Sequence, residues 1–153
     1  MNSRQPVDIP YSKPGVFARF FNNVWGFLVK LGIGLPSSFL LEVRGRKSGR
    51  TYSIPVNLLE YGGKKYLVAP RGDTQWVRNV VVSGSAVLKK GTRREEIKLS
   101  AIPDGEKPDI LKSYLDSYKM TVQRFFPMPS GSPREAFEPF VSRYPVFEVT
   151  RSE

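Results

Sequence analysis

Six consecutive residues, Gly45-Arg46-Lys47-Ser48-Gly49-Arg50, set three cations and a hydroxyl around two glycines, directly after the apolar run Phe39-Leu40-Leu41-Glu42-Val43. This donor set suits an anionic oxygen. Glycine lets the backbone turn so that N–H groups converge, while Arg46, Lys47, Arg50 and the Ser48 hydroxyl add charged and neutral donors. The spacing matches neither the GxxxxGK[ST] loop that cradles nucleotide phosphates nor the GxGxxG turn of dinucleotide folds. A charge run at a turn is also what a solvated basic loop looks like, so the six residues alone leave both readings open.

Composition removes most other chemistries. The chain of 153 residues has no cysteine and no histidine, which excludes disulfides, thiolate catalysis, cysteine-ligated metals and every hydrolytic triad built on histidine. No metal site is expected. A hydrophobic content of 40% fits one compact domain with a real core. The net charge of +10 points to an anionic partner. Nucleic acid is not the expected one, because Lys89, Lys90, Arg93 and Arg94 have no aromatics interleaved as stacking platforms. The opening Met1-Asn2-Ser3-Arg4-Gln5-Pro6 lacks the basic-then-apolar order of a secretory signal, so a cytoplasmic protein is expected. Residues 16–41 are too broken by Arg19, Lys30, Gly32, Gly34 and Pro36 to cross a bilayer.

The elements that must position the basic loop follow from periodicity. Residues 1–13 read as a loose polar arm, and residues 14–153 as a single domain. Phe17, Phe20, Phe21, Val24, Trp25, Leu28 and Leu31 recur at steps of three and four, predicting an amphipathic helix over 15–31. It could cover a sheet or rest on lipid. Strands are predicted at 38–43, Tyr52–Tyr61, Lys65–Ala69, Ala86–Lys90, Arg94–Ile102 and Val146–Thr150, with Gly62-Gly63 and Gly91-Thr92 as hairpin turns. Asp73 or Thr74 can cap a short helix that presents Trp76, Val77, Val80 and Val81 on one face and ends at Gly84. A longer helix is predicted over Asp104–Met120. Residues 127–133, rich in proline, break regular structure before a short helix around Glu135–Val141. Short antiparallel strands joined by hairpins suggest a small barrel in the α+β class.

Several of these segments together resemble the deazaflavin (F-420)-dependent nitroreductases, split β-barrel flavin and deazaflavin oxidoreductases found chiefly in actinobacteria. The resemblance is carried by Leu41 followed by Gly45-Arg46-Lys47-Ser48-Gly49-Arg50, by Tyr52-Ser53-Ile54-Pro55-Val56-Asn57, by Val68-Ala69-Pro70-Arg71-Gly72 and by Asp73-Thr74-Gln75-Trp76-Val77-Arg78-Asn79. Residues 38–102 hold all of it. It implies a six-stranded antiparallel split barrel that binds coenzyme F-420. In that family the GRKSG turn holds the deazaflavin phosphate, which implies this role for Arg46, Lys47, Ser48 and Gly49, assisted by Arg50. Tyr52, Ser53, Ile54, Pro55, Val56 and Asn57, with Val68, Ala69, Pro70 and Arg71, are then implied to line the ring system. Gln75, Trp76, Val77, Arg78 and Asn79 would close one edge, although Trp76 and Val77 equally suit a plain core helix.

A deazaflavin carries hydride itself, so the protein need supply only binding, orientation and electrostatics, and a chain without histidine is no obstacle. The expected activity is hydride transfer from reduced F-420 to an unsaturated acceptor such as a quinone, an enone or a nitro compound. No catalytic residue is assigned. The family's pocket tyrosines are replaced here by Phe137 and Phe140, while Tyr114, Tyr118 and Tyr144 carry suitable hydroxyls, although the i, i+4 spacing of Tyr114 and Tyr118 is typical of half-buried helix residues. The alternatives are an FMN-binding relative, because one barrel serves both cofactors, and a non-enzymatic lipid or cofactor carrier that meets a membrane through the N-terminal helix. A homodimer is compatible with all three.

Overall fold

The computed structural model describes residues 38–152. The arm over 1–13 and the helix over 15–31 lie outside the described residues. Six strands follow the expected order with ends displaced by about one residue: β1 (Ser38–Arg44), β2 (Thr51–Tyr61), β3 (Lys64–Val68), β4 (Ser85–Lys90), β5 (Arg93–Ala101) and β6 (Val146–Arg151). They close into an antiparallel barrel in the order β1-β2-β3-β6-β5-β4. Three hairpins come from neighbours in sequence. The β2–β3 turn, Gly62-Gly63, has φ of 60° and 80°, the left-handed pair that a tight two-residue hairpin requires. The ring is completed by three pairings between strands distant in sequence, β3 with β6, β5 with β6 and β1 with β4.

Strand alternation builds two cores. Facing inward are Leu41, Val43, Leu58, Leu67, Ala86, Leu88, Ile97, Leu99, Phe147 and Val149, which fill the barrel. The mouth nearest the basic loop is plugged by α1 (Gln75–Ser83), which inserts Val77 and Val80 and lays Trp76 6.0 Å from the Phe147 ring. Thr74 stands at its N-cap, and Gly84 ends it at φ 69° with its amide on the Val80 carbonyl. Leu59, Tyr66, Val68 and Val146 face outward and meet α2 (Lys107–Val122), whose Ile110, Leu111, Tyr114, Leu115, Tyr118 and Val122 form the second core.

Two helices differ from expectation. The turn Asp104–Glu106 is a separate 3-10 turn, and α2 begins only at Lys107 with Pro108 in its first turn, where a missing N–H costs nothing. Buried Lys107 braces this start, reaching Asp104 at 2.8 Å and the Val141 carbonyl at 3.1 Å. The segment around Glu135–Val141 is a 3-10 helix over Arg134–Arg143 that contains Pro139, whose ring opposes continuous α-helix.

Candidate functional site

The basic loop is the connection between β1 and β2, and it is built as a closed turn. The Gly45 amide donates to the Arg50 carbonyl at 2.7 Å, and the Gly49 amide returns to the Gly45 carbonyl at 3.0 Å. Gly49 has φ 75°, which favours glycine, while Gly45 is buried so closely that a Cβ there would lie 2.7 Å from Tyr52 Cε2. The Ser48 hydroxyl accepts from the Arg50 amide at 3.1 Å and lies 3.3 Å from the Tyr52 hydroxyl. Ser48 therefore shapes the loop as well as offering a donor.

Arg46 is not a free cation. Its guanidinium donates to Asn79 Oδ1 at 2.8 Å and to Gln75 Oε1 at 3.0 Å, and its backbone amide donates to the same Asn79 oxygen at 3.0 Å. Asn79 is 5% exposed. One amide side chain on α1 thus fixes both the position of the loop and the direction of Arg46. Lys47 and Arg50 remain exposed on the same loop, and among the described residues no carboxylate pairs with either.

Of the other expected residues, the structure brings some to this loop and turns others away. Gln75 and Asn79 join it directly. Arg78 points to solvent, paired to Asp73 at 3.2 Å, and Trp76 and Val77 belong to the barrel core. Within β2, Ile54 and Val56 pack against the interior, and Tyr52 shares their face but is 47% exposed beside Ser48. Ser53, Pro55 and Asn57 alternate to the outer face, so the stretch lines two surfaces and not one. Val68 is in the outer core and Ala69 in the barrel. Pro70 and Arg71 lead outward toward α1.

The tyrosines carry structural hydrogen bonds. Tyr118 donates to the Leu58 carbonyl at 2.7 Å and Tyr144 to the Phe125 carbonyl at 2.6 Å. Tyr114 is buried beside Asn57, and burial holds its phenol well above the ordinary tyrosine value, with the Asn57 bond opposing more weakly. Phe137 is fully buried and Phe140 packs beside it in the outer core. None of these groups is poised to give up a proton.

The donor set around the loop fits a phosphate. Arg46 is held beside the first turn of α1, where unpaired backbone N–H groups concentrate partial positive charge; that turn contains no acidic residue, and Asp73, just ahead of the cap, is paired to Arg78. Thr74, at the cap, adds a buried hydroxyl oxygen with no hydrogen-bond partner among the described residues. A cation fixed against the positive end of a helix, with Lys47 and Arg50 alongside, is an arrangement that an anion stabilises.

The barrel and its helices recur in known structures. An F420-H2-dependent reductase, FDR-A, superposes with a TM-score of 0.51 at 20% identity, over 75% of this chain and 95% of that one. A structure described as a domain-swapped dimer gives 0.52 at 16% identity, over 86% and 98% of the two chains. A protein of unknown function from Agrobacterium tumefaciens gives 0.51 at 16%, over 76% of this chain, which spans about half (49%) of that longer protein. These likenesses establish the fold. No curated protein matches the chain. Residues 18–127, by contrast, match the model of the F420H(2)-dependent quinone reductase family. A match of that extent makes this chain a member of the F420H(2)-dependent quinone reductase family.

Proposed function

We propose that the protein binds reduced coenzyme F-420 with its phosphate on the Gly45–Arg50 loop and the first turn of α1, and reduces an unsaturated organic acceptor such as a quinone or enone. The observation that carries this reading is the Arg46–Asn79–Gln75 clamp, which fixes a cation at a helix N-terminus with two further cations beside it. When bound, the reduced deazaflavin supplies the hydride. The chain contributes position and field: Arg46 and the α1 amides orient the phosphate, Lys47 and Arg50 steer the polyanion, and Tyr52 flanks the loop. With the Tyr114, Tyr118 and Tyr144 hydroxyls committed to internal bonds, the proton that completes reduction comes from solvent.

Calorimetric titration with oxidised F-420 and, in parallel, with FMN tests the reading. Preferential F-420 binding that weakens as salt rises is expected. Preference for FMN would move the protein to the flavin branch, and binding of neither would favour the carrier alternative. A homodimer belongs to the same proposal, by analogy with the neighbour described as a domain-swapped dimer. Light scattering should return twice the chain's 17.3 kDa, and a monomer mass would remove this part.

A further inference from the structure

Two adjacent valines stand out of the protein near the end of α1. Val81 and Val82 are each 67% exposed, whereas Val77 and Val80 of the same helix fill the barrel. The sequence pattern groups Val81 with Trp76, Val77 and Val80, and the structure corrects it. Each residue advances about 100° around a helix, which carries Val81 past the face that Val77 and Val80 bury. Tyr52, Tyr61 and Met120 are also exposed, but none of them has an apolar residue beside it in sequence.

Cations surround this pair. Arg78 precedes Val81 and Val82 by three and four residues and so shares their face of the helix. Past the helix end, the Gly84 carbonyl accepts from the Leu99 amide at 3.0 Å and Ser85 pairs with Lys98, which brings exposed Lys98 to the C-terminus of α1. Arg44, also exposed, stands two residues before Arg46, whose partner Asn79 lies one turn before Val82. Arg78 is paired to Asp73 at 3.2 Å; among the described residues no carboxylate pairs with Arg44 or Lys98. Glu96 is the next outward residue after Lys98 along β5, toward the far end of the barrel.

Charge and size together select the occupant. A second copy would bring Arg44, Arg78 and Lys98 against their own equivalents, on a chain that already carries +10. A stable protein partner needs about 800 Å² on each side around an apolar centre, far more than two valines supply. A bilayer asks for less. Shallow insertion of a few aliphatic side chains suffices where anionic headgroups attract the lysines and arginines around them. We propose that the face of α1 bearing Val81 and Val82, rimmed by Arg44, Arg78 and Lys98, docks on an anionic lipid surface. Lys47 and Arg50 are not needed for it, so the docking face stands apart from the cofactor reading.

The absence of cysteine makes the test direct, because Val82→Cys gives the full chain a single point for attaching a polarity-sensitive fluorophore. Vesicles of mixed phosphatidylglycerol and phosphatidylcholine should shift its emission to the blue and expose it to lipid-borne quenchers, and pure phosphatidylcholine should do neither. In flotation assays the unlabelled parent should bind the anionic vesicles in a salt-sensitive way. Val81→Ser, Val82→Ser should bind about tenfold more weakly, with an unaltered melting curve. Failure of the parent to bind would overturn the proposal. So would vesicle binding that leaves the label silent, which would move the contact elsewhere, residues 1–37 included. A label shift that needs no lipid and disappears on dilution would give the face to a second copy and equally overturn it. Should the double variant not fold, the label at position 82 decides alone.

Discussion

Asn79 holds the basic loop through a single oxygen that accepts from two donors of Arg46, one backbone and one side chain. Replacing it with alanine removes the acceptor of both bonds at once, and an expected loss of about 1–3 kcal/mol in stability follows, since the guanidinium keeps Gln75 but the backbone amide loses its partner. F-420 affinity should fall with it, because the loop loses its register against α1. The double change Lys47→Ala, Arg50→Ala is the contrast: both side chains are exposed, so stability should stay within about 0.5 kcal/mol while affinity and its salt dependence both drop. Thermal melts and titrations on the two variants separate the roles, and undiminished affinity in the lysine–arginine variant would remove the phosphate role of the loop. The sequence made the cations legible, since glycine-bounded charge runs are visible in any frame. It did not show that Arg46 is clamped, because its partners Gln75 and Asn79 lie about thirty residues downstream and on a helix whose pattern reads equally well as core.

At the scale of elements, the β1–β2 hairpin decides whether the loop has a defined shape. Gly45 sits where a methyl group would meet Tyr52 Cε2 at 2.7 Å, Ser48 Oγ at 3.0 Å and the Arg50 carbonyl at 3.2 Å. Gly45→Ala is therefore expected to destabilise by about 1–3 kcal/mol and to open the turn, since the backbone carbonyl cannot swing aside as a flexible side chain can. Chemical-shift changes centred on residues 44–52 and on their α1 partners Gln75 and Asn79, together with a lower urea midpoint, would bear this out; a variant as stable as the parent would show the hairpin to be pliant. The hairpins at Gly62-Gly63 and Gly91-Thr92 were legible because glycine turns and period-two patterns act locally. The long-range closures were not, as nothing in Leu40–Glu42 announces pairing with Val87–Lys89. The 3-10 character of Arg134–Arg143 was hidden for a similar reason: apolar spacing suggested a helix, and Pro139 altered its kind without abolishing it.

For the molecule as a whole, charge is set by lysine, arginine and carboxylates alone. Glu42 is drawn below its ordinary value of 4.5 chiefly by the hydrogen bond from Lys89 at 3.0 Å, burial opposing, with Lys89 and Arg94 charges adding to the fall. Glu95 is lowered likewise, first by its bond from Arg151. A carboxyl whose native value lies below its unfolded one adds stability that is complete above the unfolded value and is lost as pH falls through the native value. Stability should thus be flat from about pH 5.5 to 7.5, where a chain without histidine has almost nothing to titrate, and decline below 4.5. Urea unfolding across pH 3 to 8 should show Glu42→Gln less stable near neutrality and converging with the parent in acid; a step near pH 6.5 would contradict the assignment. The closed ring of strands also bears on how the chain reaches this state. Hairpins β1–β2–β3 and β4–β5 can zip from their turns, but β3 and β5 must await β6 and β1 must find β4, matching residues as far apart as Lys65 and Val149. Those three seams carry most of the loop-closure entropy, so they set the folding rate and are the last joints to close.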